Sequence, residues 1–404
     1  MKIFRISGGK DILFNIEKRV YLKYLLFADL YFPEGVSNIL VPVLTPLYLN
    51  SFDLPVETIT LIVGLGWIPW IIKFLWSGFI DKYVLKGRRL FVFIGGFITI
   101  ICLIILFFVN PSTYLIPFTI ILFCSQVGQT ILDSAADAWG IDVSTKENRG
   151  RINAAMRIGM VLGSGFGIVI LAFIAEFFSY NYIFLFSAIF ISINLILPTF
   201  IKETIKFVKK QNVLKLLFKE FKKKYVKLLF FYIPLASVGG GIFTFGLPLY
   251  ASNVLGFSTG LIGITAGVGY IFQVIGSIIG GIFSDRKGRK KTIYIYTILT
   301  AFFVLLVIFS TSISYLIILY FIIMFVFAGF SVSILAFYMD AANPKIGGSH
   351  FSLYNGLANL GYITAGTATG SIIVVLGYNY IFILCGLLLF PPLLILRFIR
   401  INNQ

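Results

Sequence analysis

Twelve long, mostly apolar runs leave this chain few folds to choose from. They fall at 24–49, 58–80, 90–109, 114–140, 152–175, 182–201, 228–251, 261–284, 292–310, 314–340, 351–376 and 379–398. Crossing the hydrocarbon of a bilayer takes about 20 apolar residues in helical form. Several runs exceed that minimum, which implies tilt or protrusion from the membrane. Hydrophobic residues make up 59% of the 404 and charged residues 12%, a balance that demands a bilayer for most of the chain. The predicted fold class is therefore an all-α integral membrane protein with twelve transmembrane helices.

Charge fixes the expected orientation. The connections around Asn50 to Glu57, Asn110 to Thr113, Glu176 to Asn181, Ala251 to Gly260, Ser310 to Ser312 and Gly377 to Tyr378 contain no Lys or Arg. Nearly every basic residue lies in or beside 1–23, 81–89, 141–151, 202–227, 285–291, 341–350 and the tail after 398. By the positive-inside rule these segments and both termini are cytoplasmic, and an even number of spans agrees with that. The plasma (inner) membrane is the expected location. The net charge of +17 is thus a topology signal, and no folded module accompanies it that would bind nucleic acid. The basic, mixed stretch Met1 to Lys23 does not have the form of a cleaved signal peptide. Cys102, Cys124 and Cys385 lie inside apolar runs without metal-ligand spacing, so neither disulfides nor zinc is expected.

The chain repeats itself. Gly281-Ile282-Phe283-Ser284-Asp285-Arg286-Lys287-Gly288-Arg289-Lys290 sits between two apolar runs, and Ser77 through Asp81-Lys82 to Gly87-Arg88-Arg89 echoes it. The two aspartates are 285 − 81 = 204 residues apart, half the chain. Asp137-Ala138 likewise corresponds to Asp340-Ala341, and Asn153 and Gly159 to Asn355 and Gly361. This is an internal duplication of a six-helix unit. The pattern Gly-x-x-x-Asp-Arg-x-Gly-Arg-Lys between two helices resembles the signature of the major facilitator superfamily of transporters. The second copy matches throughout, while the first has Ser77 for the leading glycine and Val84-Leu85-Lys86 inserted before Gly87. The resemblance implies two pseudo-symmetric bundles, 24–201 and 228–398, flanked by a cytoplasmic segment 1–23 and a tail 399–404. It also implies a cytoplasmic gate built from Asp81, Arg88, Arg89 and Asp137 in the first half and Gly281, Asp285, Arg286, Gly288, Arg289 and Asp340 in the second. The alternative for these loops is that short basic connections are common on the inner face of any membrane protein.

Several stretches are similar to a narrower branch. Pro69-Trp70-Ile71-Ile72-Lys73, Asp133-Ser134-Ala135-Ala136-Asp137-Ala138, Glu147-Asn148-Arg149-Gly150 and Arg157-Ile158-Gly159 resemble the anhydromuropeptide permeases. Asn343-Pro344-Lys345-Ile346-Gly347-Gly348-Ser349-His350-Phe351-Ser352-Leu353-Tyr354-Asn355 is similar to the acetyl-coenzyme A transporters of that branch. This resemblance implies a bulky, hydrophilic, often anionic cargo and a large polar cavity between the halves.

Five ionisable residues inside spans need explanation: Asp29, Glu34, Lys73, Asp133 and Arg157. Such groups are costly in hydrocarbon and usually face a cavity or a partner. At about 1.5 Å per residue Glu34 lies near the midplane, with the other four roughly 6 to 10 Å toward the cytoplasm. The shared depth allows Lys73 to pair with Asp29 or Glu34, and Arg157 with Asp133. One reading makes these pairs purely structural. The other has Lys73 and Arg157 hold a substrate anion while Glu34 or Asp133 takes up and releases a coupling proton. Asn38, Gln126 and Gln129 extend the candidate lining, with Gln273 and Asn359 as weaker members. Pro33 can loosen the first span beside Glu34. The one histidine, His350, reads as a helix-end residue.

The linker 202–227 carries Lys206, Lys209, Lys210, Lys215, Lys219, Lys222, Lys223 and Lys224, with apolar residues at roughly helical spacing. It is either an amphipathic helix on anionic lipid of the inner leaflet or a solvated basic linker. No Gly-x-x-x-x-Gly-Lys-Ser/Thr loop occurs, which argues against ATP-driven transport, and no cofactor is expected. The expected function is secondary active transport of a polar, anionic small molecule by alternating access, with the proton as coupling ion and the monomer as working unit. Two rivals stand. One is an exporter of drugs or lipids, suggested by an aromatic content of 17%. The other is a membrane enzyme or a sensor without flux.

Overall fold

The computed structural model describes residues 14–16, 19–83, 87–144, 149–203, 213–343 and 347–400. The insertion Val84-Leu85-Lys86 and linker residues 204–212 lie outside that set, as do Glu147-Asn148 and Pro344-Lys345-Ile346 of the branch motifs. The first half comprises α1 (Val20–Ile39), a π-helical turn (Leu40–Leu44), α2 (Thr45–Asn50), α3 (Val56–Ile71), α4 (Lys73–Lys82) and α5 (Arg88–Phe108). It continues with α6 (Leu115–Val143), α7 (Arg149–Phe177), α8 (Tyr182–Asn194) and α9 (Ile196–Thr199). A short helix α10 (Val213–Phe221) lies in the linker. The second half holds α11 (Lys224–Asn253), α12 (Thr259–Lys287), α13 (Arg289–Leu306), α14 (Ile313–Ala341), α15 (Gly347–Leu376), α16 (Tyr378–Leu388) and α17 (Pro391–Phe398). Two-residue strands, β1 (Phe14–Asn15) and β2 (Ile201–Lys202), pair in parallel and tie the N-terminal segment to the end of the first half.

Among the described residues, eleven helices are long and apolar enough to cross a membrane. The first crossing is the composite Val20–Asn50, for α1, the π turn and α2 follow one another without a gap. Its irregularity has a local cause. Pro42 sits inside the π turn, where a missing N–H and a crowding ring make the α-helical bond pattern unavailable. The Thr45 hydroxyl donates at 2.8 Å to the Leu40 carbonyl, the same oxygen that accepts the Thr45 backbone N–H at the end of the widened turn. The predicted spans 58–80, 182–201 and 379–398 are each broken once. Pro69 precedes the break at Ile72, and the Pro391–Pro392 pair follows the break at Phe390.

Pairing within the halves repeats. In the first, α1 packs along α7; in the second, α11 packs along α15. Both contacts rest on a glycine. A Cβ at Gly159 would lie 1.8 Å from the Ala28 carbonyl oxygen, and one at Gly361 would lie 2.0 Å from that of Pro234. No side chain fits there, so the crossing requires glycine at corresponding points of the two copies. The halves meet along α3 with α15 and α7 with α12.

The apolar core shows how the halves join. One buried cluster draws on both, including Val36, Ile59, Ile62, Ile168 and Phe184 of the first and Ile242, Phe245, Tyr250, Ile373 and Phe382 of the second. It occupies the membrane middle and the end away from the basic loops. At the basic end the core divides. One cluster, with Phe27, Leu30, Trp139 and Met156, belongs to the first half, and another, with Tyr232, Phe337, Tyr354 and Leu396, to the second. Burial of apolar surface, the main cohesive force, thus binds the halves at one end and not at the other.

Candidate functional site

Three helices of the first half bring acids and a base together. The break at Ile72 makes Lys73 the first residue of α4, and its ammonium pairs with Asp133 and, at 2.9 Å, with Asp137, one turn apart on α6. Asp133 is 2% exposed and Asp137 37%, so the lysine bridges a dry acid and a wetter one. Tyr31 on α1 donates its hydroxyl hydrogen to Asp137. One turn further along α1, Glu34 is within hydrogen-bonding reach of Asp133 and acts electrostatically on Lys73, Asp137 and Arg157. The Lys73 ammonium also lies 5.9 Å from the centre of the Trp70 ring.

Arg157 completes the group from α7. Its side chain is accessible, and Nη1 makes a weak contact with Met160 Sδ at 3.7 Å. It faces Glu34 of its own half and Tyr270 of the other, and Tyr270 lies beside Ser164 on α7. The accessible guanidinium lies between α1, α7 and α12.

Several predicted pairings differ. Lys73 takes its partners from α6 rather than Asp29 or Glu34 of α1, and Arg157 faces Glu34 instead of Asp133. Asp29 points to α8, where Asn194 Nδ2 donates to its Oδ1 at 2.7 Å. Equal depth did not imply a common face. Gln126 is 1% exposed; its Oε1 accepts from Ser37 at 2.7 Å and Trp70 Nε1 at 3.1 Å, so its carbonyl braces α1 and α3 against α6. Gln129 is fully buried with no hydrogen-bond partner among the described residues, and Asn38 is part-buried beyond Glu34. In the second half Asn359 Nδ2 donates to the Trp70 carbonyl at 3.3 Å, across the seam. Sequence reasoning missed Tyr31, Ser37, Trp70, Asn194 and Tyr270. Tyr31 and Trp70 each precede a singled-out charge by three residues, a spacing that puts them on its face.

The two charged turns are built alike but latched differently. Gly87 and Gly288 have φ of 88° and 89°, a conformation that glycine adopts without steric cost. In the second copy Arg289 pairs with Asp285 and, through Nε at 3.2 Å, with Asp340, while its Nη1 donates to Ser284 at 3.3 Å. Arg286 is exposed. The close helix approach here is at Gly280, where a Cβ would come within 2.4 Å of the Gly329 Cα, while a Cβ at Gly281 would meet only Val332 at 3.6 Å. In the first copy Arg88 pairs with Asp142 at 3.0 Å, and Arg89 donates to the Ile201 carbonyl at 2.7 Å. Glu203 accepts from the backbone N–H groups of Arg88 at 2.5 Å and Arg89 at 3.1 Å, an anion at a helix N-terminus. Asp137, expected at this gate, has joined Lys73 instead. The side chain of Asp81 lies outside the described residues.

The opposite end is fastened across the seam. Thr60 donates to the Thr367 carbonyl at 3.0 Å and accepts from Gly370 N at 3.1 Å. Asn50 donates to Asn253 at 2.8 Å, Glu176 accepts from Gly260 N, and the hydroxyls of Tyr180 and Thr259 are bonded. A groove of about 600 Å³ runs beside this seam between α3 and α15, and its lining, which includes Leu61, Ile68 and Thr364, contains none of the charged cluster.

In the linker, Glu220 on α10 accepts from Asn343 Nδ2 and Lys223 Nζ, both at 2.7 Å, which seats α10 on the loop after α14. Burial pushes the Glu220 carboxyl up, but those two bonds outweigh it and hold the group below the usual carboxylate range. His350 is 1% exposed and accepts from the Asn343 backbone N–H at 3.2 Å, a helix-end role. The three cysteines are free.

A family model of the Major Facilitator Superfamily matches residues 31–272 and 229–403 of the chain. Among solved structures, that of the nucleoside transporter NupG superposes with a TM-score of 0.71 at 15% identity, covering 94% of this chain and 98% of that one. The xylose transporter XylE from E. coli, in an inward open conformation, gives a TM-score of 0.71 at 14% identity over 95% and 96%. Identities this low speak for a shared fold.

Proposed function

From the premise that this chain belongs to the major facilitator superfamily and is a multi-pass membrane transporter, not an enzyme, we propose that it carries a polar, anionic metabolite and that Arg157 holds the cargo's negative charge. The observation that carries this reading is the division of labour between the two bases. Lys73 is occupied by Asp133 and Asp137, whereas the accessible guanidinium of Arg157 lies between the halves in weak contact with the Met160 thioether. The branch resemblance favours a muropeptide-like, acyl-coenzyme A or nucleotide conjugate as cargo.

Charge counting supports proton coupling. Glu34, Asp133 and Asp137 face Lys73 and Arg157, a formal sum of −3 + 2 = −1. A buried excess charge is costly. One proton shared between Glu34 and Asp133 removes it, and an anion bound at Arg157 raises the demand for that proton. Cargo and proton thereby favour each other's binding, which is the linkage a symporter needs.

The basic loops and both termini are taken as cytoplasmic. The site is then reached from the cytoplasm, because the halves share their core and their cross-seam bonds at the other end. Alternation requires the Thr60 and Asn50 bonds to part while Arg289, Arg88 and the α10 contact reorganise at the basic end.

The test is counterflow into liposomes with peptidoglycan fragments, acyl-coenzyme A compounds and nucleotides. A charge-assisted hydrogen bond contributes about 1.5–3 kcal/mol, so Arg157→Ala is expected to weaken binding of the active compound by about ten- to a hundredfold, with Arg157→Lys intermediate. Equal binding by Arg157→Ala removes the assignment. Uptake indifferent to an imposed pH gradient, and unchanged in Glu34→Gln, removes the coupling. Transport of lipophilic cations or lipids in place of anions establishes the exporter instead.

A further inference from the structure

Asp29 is the one membrane acid that the transport reading leaves without work. It precedes Glu34 by five residues on α1, about 140° around the helix, and so faces α8 rather than the charged cluster. Among the described residues no cation meets it there. On α6, Asp133 and Asp137 gather around Lys73, and on α7 Arg157 faces Glu34. Lys23, on α1 itself, donates to the Val143 carbonyl. The segment Tyr182 to Thr199, which forms α8 and α9, carries no ionisable side chain beyond Tyr182 at its far end.

The atoms around Asp29 are mismatched for a carboxylate. Asn194 Nδ2 donates to Asp29 Oδ1 at 2.7 Å. Asp29 Oδ2 and Asn194 Oδ1 are both buried and have no hydrogen-bond partner among the described residues. Both are acceptors when the acid is ionised, and leaving each unsatisfied costs about 1–3 kcal/mol. In the planar cyclic pairing of an acid with an amide the remaining oxygens lie side by side, where a single hydrogen satisfies both.

We propose that Asp29 is a second proton-binding site: Oδ2 carries a hydrogen that it donates to Asn194 Oδ1, closing a ring of two hydrogen bonds between α1 and α8. The proton comes from solvent as the helices pack, and the acid is neutral in the folded protein. No bond other than O–H forms. The site sits within one half and stands apart from Glu34 and Asp133, and it does not depend on what the protein carries.

Infrared difference spectroscopy of the full-length protein in lipid vesicles at neutral pH tests this without any transport measurement. Asp29→Asn is expected to delete one carbonyl stretch of an un-ionised carboxyl group while leaving the carboxylate bands unchanged. Its amide can make the same ring with Asn194, so its melting temperature should match the wild type. Asn194→Ala is expected to keep the acid band but shift it to higher wavenumber, as the carbonyl loses its donor. Loss of carboxylate intensity in Asp29→Asn, a marked drop in its melting temperature, or an acid band unmoved by Asn194→Ala would each overturn the proposal.

Discussion

Replacing Lys73 by methionine keeps the length of the side chain and removes its charge, and the consequence can be worked from the contacts. Wild-type Lys73 serves two carboxylates, one 2% and one 37% exposed. Breaking a buried ion pair by deleting one partner typically costs about 3–5 kcal/mol, because a charge is left without compensation. Lys73 is itself 25% exposed, which places Lys73→Met at the lower end, about 3 kcal/mol. Asp133→Asn leaves Lys73 with Asp137 at 2.9 Å and should cost less, about 1–2 kcal/mol. Asp137 is more than a third exposed, so solvent screening limits Asp137→Asn to about 1 kcal/mol or below. The double variant Lys73→Met, Asp133→Asn removes the charge and its counter-charge together and should recover about 2 kcal/mol relative to Lys73→Met alone. The assay is thermal unfolding in detergent micelles, read as a ranking of the four variants and repeated at falling pH. Acid should narrow the deficit of Lys73→Met, since protonated carboxyls no longer need a cation. A Lys73→Met protein as stable as wild type, or a double variant no better than the single one, would refute the reasoning.

Other outcomes follow from the same geometry. Gly159→Val should abolish a monodisperse protein, since its Cβ would sit 1.8 Å from the Ala28 carbonyl oxygen; size-exclusion chromatography reads this directly. Thr60→Val deletes the hydrogen bonds to Thr367 and Gly370 at a net cost of about 0.5–1.5 kcal/mol for each. Spin labels on either side of that seam should then show a larger population at long distance. The contact that seats α10 has a pH dependence of fixed sign. The Glu220 carboxyl is held below its ordinary range, so its contribution is complete above the unfolded value of about 4.3 and is lost as pH falls through the depressed folded one. Hydrogen exchange of α10 amides should accelerate in Glu220→Gln at neutral pH and in the wild type only under strong acid. Arg289→Lys cannot reach Asp285, Asp340 and Ser284 together, so exchange at the α12–α13 turn should quicken, by no more than about 1 kcal/mol of local stability for these part-exposed groups.

The helices were legible because a crossing needs length and apolarity, and both are written along the chain. Their interruptions were less so. Pro69 acts three residues before the break at Ile72, and that break sets Lys73 at the head of a new helix. The duplication could be read from spacing, yet corresponding residues need not keep corresponding partners. Asp137 and Asp340 are counterparts, but the position matching Lys73, 73 + 204 = 277, is Ser277. With no lysine beside it, Asp340 turns to Arg289, while Asp137 turns to Lys73. Depth along a span can be counted from the sequence for Asp29, Glu34, Lys73, Asp133 and Arg157 taken singly. Who meets whom depends on the angle around each helix, and Asp29 and Glu34 differ there by about 140°. Gln126 shows the same limit from the other side. Its place in a polar stripe on α6 suggested a lining residue, but Ser37 and Trp70, on two other helices, claim its oxygen.

The linker grips the molecule at both of its ends. Glu203 is bound to the head of α5, and Glu220 to the loop after α14, so each anchor belongs wholly to one bundle. Covalent continuity between residues 203 and 213 therefore contributes little to either anchorage. A polypeptide severed there, or produced as two co-expressed fragments, retains every contact by which α3 meets α15 and α7 meets α12. What such a cut does remove is the leash that keeps the fragments at high mutual concentration, so their reunion becomes a matter of dilution in the bilayer.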